Sequence, residues 1–140
     1  QLDSSHILIA PATFEGGEQA FLRAWEDGLR PTAVLSMSDA AAAGVLQAAR
    51  HLGLRVPDDL SVVGFDDLPL TRFTDPPLTT VHQPVRRKGE EAARMLLAAL
   101  RAVGSRPAEH RVLETRLVVR RSTAPPAKGG QEVVDNGRSA

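Results

Sequence analysis

The chain has 140 residues, of which 42% are hydrophobic, enough for one domain with an apolar core. Its 17 basic and 17 acidic residues balance, so the sequence predicts no general attraction to nucleic acid. The lack of cysteine excludes disulfides, a thiol nucleophile and a thiolate metal site, and fits a cytoplasmic protein. No apolar run reaches membrane-spanning length.

Strand and helix patterns alternate through the first half of the chain. Runs of β-branched and other apolar residues predict strands at 6–10, 33–37 and 60–65. Apolar residues at helical spacing predict helices at 18–27 and 40–52. The pair Gly16-Gly17 predicts a turn before the first helix. The fold class is therefore α/β, with a parallel sheet flanked by helices.

The second half has fewer strong signals. Residues 68–73 predict one helical turn, and residues 78–83 and 112–119 predict extended segments. Pro84 is a natural first residue for an amphipathic helix that ends near residue 104. From residue 124 to residue 140 the composition rich in Pro, Gly and polar residues predicts a disordered tail.

Two carboxylates, Asp66 and Asp67, follow the strand at 60–65, at the edge where open α/β sheets bind ligands. Aspartates there can simply form a solvated turn. Alternatively, one carboxylate accepts hydrogen bonds from the hydroxyl or ring N–H groups of a ligand. Metal binding or phosphoacceptance is a third interpretation, with Asp39 as the only further acidic candidate.

Other candidate site residues lie after the neighbouring strands. Ser38 or Asp39 can cap the helix that follows, and the other side chain can face the cleft. Phe14, in the predicted loop after the first strand, either packs locally or stacks on a sugar or base ring. The four histidines have no partner at metal-ligand spacing. With no catalytic set and no cofactor or metal motif, binding is favoured over enzymatic activity.

Several ordered motifs resemble the LacI/GalR family of transcriptional regulators. They are residues 31–39, Gly44, residues 53–67, residues 76–84, Gly89 and residues 117–123. The resemblance implies the fold of type I periplasmic sugar-binding proteins, in which two α/β subdomains close on a small molecule. It makes residues 1–123 a partial effector-binding domain, namely the C-terminal subdomain plus a crossover helix at about 84–104.

The resemblance also implies roles for individual residues. Asp66 matches the aspartate that holds sugar hydroxyls or a base, and Ser38 stands where the family often has Asn. Phe14 is similar to the family's stacking aromatic, and Asp39 completes the expected effector-binding set. The expected homodimer interface comprises Ala43 and Gln47 on the helix that begins at Ala40, together with Leu68 and Phe73.

The implied function is ligand sensing and dimerisation within a LacI-type regulator. A sugar-like or nucleoside-like effector would shift DNA affinity allosterically, and DNA would be read through a helix-turn-helix that this sequence lacks. The expected location is cytoplasmic, without membrane contact. One alternative is a sugar-binding transport component of the same fold, and another is a small α/β enzyme or phosphoacceptor that uses Asp66 and Asp67.

Overall fold

The computed structural model describes residues 6–101 and 109–126. The sheet within these ranges contains strands β1 (Ala33–Leu35), β2 (Ser61–Asp66), β3 (Thr79–His82) and β4 (Arg116–Val118), in that spatial order. The first three strands are parallel, and β4 runs antiparallel to β3.

Three helices accompany the sheet: α1 (Phe14–Glu26), α2 (Asp39–His51) and α3 (Val85–Arg101). Helix α2 packs on β2, and α1 packs on α2. The predicted α/β sheet flanked by helices is therefore confirmed. Within the described ranges, none of these helices is long and apolar enough to cross a membrane.

The core lies between α1, α2 and the sheet. Small and branched apolar residues fill it, so that α2 approaches β2 closely. Its buried members are Phe21, Ala42, Val45, Leu46, Ala48, Ala49, Leu60, Val62 and Leu78. This packing fixes the end of β2 relative to the start of α2, and both of these positions carry candidate site residues.

Helices α1 and α2 meet at two glycines. A Cβ atom on Gly17 would overlap the carbonyl oxygen of Ala41, and one on Gly44 would overlap the carbonyl oxygen of Phe14. Close contact between the helix backbones therefore requires glycine at both positions.

The predicted turn at 13–17 is wrong, because Gly16 and Gly17 are buried inside α1. The side chain of Thr13 caps this helix by accepting from Gly16 N at 3.0 Å. Phe14 was predicted to lie in a loop, but it is the first residue of α1.

The predicted strand at 6–10 is also wrong. Residues 7–10 form neither helix nor strand, and Ile7, Leu8 and Ile9 are 64%, 46% and 96% exposed. A strand needs a neighbour to satisfy its backbone groups. Within the described ranges β1 is the outermost strand of the sheet, and residues 7–10 pair with no strand.

The later elements follow the predictions with shorter bounds. A short 3₁₀ helix, Pro69–Arg72, is the predicted helical turn, and β3 and β4 lie within the predicted extended segments. Helix α3 is confirmed, and none of its residues is buried. The predicted helix end near residue 104 and most of the predicted tail, residues 127–140, lie outside the described residues.

Candidate functional site

An open cleft lies at the carboxyl ends of β2 and β3. Its volume is about 650 Å³, and its walls include Asp66, His82 and Gln83 from the strand ends. Val85 and Arg87 from the first turn of α3 also line it. The cleft therefore occupies the sheet edge at which α/β proteins bind small molecules.

The backbone at the end of β2 is unusual. Asp66 and Asp67 have φ angles of 112° and 59°, a region that residues with a Cβ atom rarely adopt. Such a conformation costs of order 1–3 kcal/mol per residue and persists only where the surroundings enforce it. The two residues therefore form a constrained corner, held by the contacts described next.

The carboxylate of Asp67 is bound within the protein. Arg120 Nη2 donates to its Oδ1 at 2.6 Å, and His82 Nδ1 lies 3.0 Å from its Oδ2. Only 9% of this side chain is exposed. Burial alone would raise the pKa of Asp67, but the hydrogen bonds from Arg120 and His82 hold it below its ordinary value. Asp67 is thus an ionised structural group.

Asp66 also lines the cleft, and its carboxylate has fewer partners than that of Asp67. Its Oδ1 accepts a hydrogen bond from Gln83 Nε2 at 2.7 Å, and the Oε1 of that amide accepts from Lys88 Nζ at 3.2 Å. Among the described residues, Oδ2 of Asp66 receives no side-chain hydrogen bond. A half-buried carboxylate with one oxygen oriented and the other open can accept a ligand hydroxyl.

Asp39 is completely buried and serves the fold. Its Oδ1 accepts from Thr80 Oγ1 at 2.5 Å, and its Oδ2 accepts from Leu68 N at 2.7 Å. Both oxygens therefore tie α2 to β3 and to the segment after the corner. This position does not support the expected contact between Asp39 and an effector, because the carboxylate is enclosed on every side.

Ser38 is the N-cap of α2, as one of the two predictions for this position states. Its Oγ accepts from Ala40 N at 3.2 Å and from Ala41 N at 3.4 Å. It also lies 3.5 Å from the carbonyl oxygen of Ala12, two residues before Phe14. Phe14 remains 39% exposed.

The parallel register places Ser38 near the corner. Leu35 of β1 is opposite Val63 of β2, so Ser38 and Asp66 each follow that pair by three residues. Ser38 and Asp66 therefore follow neighbouring strands at the same end of the sheet, and Ser38 also contacts the segment before α1. Neither Ser38 nor Phe14 lines the cleft beside Asp66.

Sequence reasoning missed Gln83 and Arg120. Gln83 directly follows β3, so the rule that placed Asp66 at the ligand-binding edge could also have placed Gln83 there. Arg120 has no such local signal, because its contact with Asp67 spans 53 residues. Within residues 6–101 and 109–126, no three His, Asp or Glu side chains are grouped as metal ligands.

The sequence model of one protein family, the periplasmic binding protein-like domain, matches residues 2–123 of this chain. The chain belongs to this family. The matched region includes the cleft, the corner at Asp66 and Asp67, and the segment that supplies Arg120.

Curated relatives of the chain are transcriptional regulators. The HTH-type regulator DegA of Bacillus subtilis is 40% identical over 125 residues, which are 89% of this chain and 36% of DegA. The HTH-type regulator MalR of Streptomyces coelicolor is 52% identical over 114 residues, or 80% of this chain and 32% of MalR. The chain thus spans about a third of the length of these relatives.

Solved structures show the same fold. The cellobiose complex of the regulator CelR matches with a TM-score of 0.80 and 33% identity, over 87% of this chain and 37% of CelR. A LacI-family regulator from Enterococcus faecium with bound ribose matches with a TM-score of 0.72 and 28% identity, over 84% and 43%. The predicted resemblance to LacI-type regulators is confirmed.

Proposed function

We propose that this chain is the effector-binding and dimerisation part of a LacI-type transcriptional regulator. The observation that carries the proposal is the Asp66 carboxylate, which Gln83 orients toward the cleft at the ends of β2 and β3. Binding of sugars by structural relatives supports a hydroxylated effector. The chain would act by binding and not by catalysis.

The geometry gives no support to phosphoacceptance or metal binding. A phosphoacceptor or magnesium site needs several accessible carboxylates together. Here Asp39 is enclosed by Thr80 and Leu68, and Asp67 is paired with Arg120 and His82. This leaves Asp66 as the corner carboxylate that remains available to a ligand.

The proposed switch follows from differential binding. An effector that binds one arrangement of the regulator more tightly shifts the population toward it, and thereby changes DNA affinity. In this proposal, DNA contact belongs to a helix-turn-helix outside this chain, and the regulator acts in the cytoplasm. The balanced charge of the chain agrees with that division of labour.

The test is the binding of two sugars and a nucleoside to the chain and to its Asp66→Ala variant. Calorimetric titration with cellobiose, D-ribose and cytidine should show binding of at least one probe. Loss of a charge-assisted hydrogen bond should weaken that binding by about tenfold or more. Asp58→Ala, which removes an exposed carboxylate before β2, is the matched control and should bind normally. Equal affinity in the Asp66 variant would contradict the proposed site.

A further inference from the structure

Arg120 joins the corner to the start of β3. Its guanidinium donates to Asp67 Oδ1 at 2.6 Å and to the carbonyl oxygen of Leu78 at 2.7 Å. Its backbone N–H donates to Thr79 Oγ1 at 2.9 Å, so the whole residue is anchored. Only 14% of its side chain is exposed. A planar guanidinium held at two acceptors allows Asp67 little freedom.

The corner depends on such contacts because its backbone is unfavourable by itself. Both Asp66 and Asp67 have positive φ angles without being glycine. Besides Arg120, the neighbouring restraints include His82 on the Asp67 carboxylate and the Asp39 carboxylate on Leu68 N. The backbone N–H of Asp67 also donates to Thr80 Oγ1 at 3.4 Å. Asp66 immediately precedes the residue that Arg120 holds, so its side-chain direction follows from the φ and ψ angles of this corner.

We propose that Arg120 is a positioning residue for the effector site. Arg120 holds Asp67, so that the carboxylate of the preceding residue, Asp66, points to Gln83 and the cleft. The inference rests on the proposed role of Asp66 in effector binding. Arg120 follows α3 and β4 in the chain. The corner at the end of β2 is therefore held by a residue from a much later part of the sequence. Positioning, and not direct contact, is its role, because its guanidinium is occupied by Asp67 and Leu78.

The experiment compares Arg120→Met with Arg120→Lys and with the control Arg121→Met, which alters an exposed neighbouring arginine. The first measurement needs no ligand: NMR gives the Gln83 side-chain amide shifts and the HN–Hα couplings of Asp66 and Asp67. In Arg120→Met the amide should shift to the position of a solvated amide and both couplings should change. Arg120→Lys should restore part of the effect, and Arg121→Met should match the original chain.

The second measurement is titration with cellobiose, D-ribose and cytidine. The affinity of Arg120→Met for any probe that binds should fall by about tenfold, the loss expected when a charged hydrogen-bonded group is displaced. Circular dichroism confirms that each variant is folded. A folded Arg120→Met protein with unchanged Gln83 shifts and unchanged couplings would overturn the proposal.

Two further outcomes are also decisive. If Arg120→Met does not fold, the same spectra of Arg120→Gln decide, because that variant keeps a polar side chain but loses the charged guanidinium that binds Asp67 and Leu78. Corner signals identical to those of the original chain in Arg120→Gln would refute positioning. If the original chain binds none of the three probes while the corner signals of the variants change, the proposed effector class fails and the positioning role stands.

Discussion

At the scale of single residues, three aspartates at one sheet edge have different roles because their surroundings differ. The carboxylate of Asp39 is bound by a hydroxyl and a backbone N–H, and that of Asp67 by a guanidinium and an imidazole. The carboxylate of Asp66 accepts a hydrogen bond from one side-chain amide. A carboxylate with satisfied oxygens stabilises the fold, whereas one with an open oxygen can recognise a ligand. The pattern Asp-Asp alone could not separate these roles.

A fourth aspartate supports a pH prediction. Arg55 donates side-chain hydrogen bonds to both oxygens of Asp59, at 2.8 and 2.7 Å, and its backbone N–H donates at 2.9 Å. These bonds lower the pKa of Asp59 to about 2. Because the folded value is depressed, the stabilisation is complete above the ordinary value of 3.8 and is lost as pH falls through about 2.

Carboxyl-carbon NMR titration should therefore place the Asp59 pKa near 2 in the original chain. In Arg55→Met the value should return toward 3.8, because the donors on the side chain are gone. An unchanged pKa in that variant would show that Arg55 is not the cause. Arg50→Met, which removes an exposed arginine at the end of α2, is the control and should leave Asp59 unaffected.

At the scale of elements, the close contact between α1 and α2 at Gly17 and Gly44 explains why a helix, and not a turn, spans Gly16-Gly17. The sequence predicted a turn because Gly16-Gly17 is unfavourable in isolated helices. Tertiary packing reverses that preference, since a bulkier residue at Gly17 or Gly44 would overlap a backbone carbonyl of the other helix. The start of α1 is therefore set by the local cap at Thr13, while the contact between helices overrides the low helix propensity of the two glycines.

This contact predicts opposite effects for the same substitution at two helical glycines. Gly44→Ala should destabilise the chain by about 1–3 kcal/mol, because the new methyl group forces α1 away from α2. Gly89→Ala in α3 meets nothing within 4 Å and should stabilise by up to about 1 kcal/mol through helix propensity. Urea unfolding of both variants measures the difference. Stabilisation by Gly44→Ala would contradict the close contact.

At the scale of the whole molecule, an exposed apolar surface supports the proposed homodimer. Phe73 is 84% exposed and Leu68 is 39% exposed, in the segment that contacts α2. Ala43 and Gln47 on α2 are partly exposed. Large exposed apolar groups beside a helix are typical of protein interfaces, so we expect these four residues to lie at the interface between two copies.

A charge on the most exposed apolar residue of this surface should separate the copies. Phe73→Glu is expected to weaken dimerisation by at least about tenfold, because a buried unpaired carboxylate would oppose association. Sedimentation equilibrium measures the change. Val112→Glu places the same charge on a residue that is 95% exposed elsewhere and serves as the control. Equal dissociation by both variants, or by neither, would argue against the proposed interface.

Much of this protein follows from local pattern. The order of strands and helices from residue 33 onward, a cap at Ser38 or Asp39 and the position of Asp66 at the end of a strand were all predicted, because periodicity and capping depend on residues close in sequence. Only the tertiary structure decided that residues 7–10 form no strand, that Gly17 lies inside a helix, and that Arg120 reaches Asp67. Each of these outcomes depends on whether a residue far along the chain supplies a partner, and no local pattern encodes such a partner.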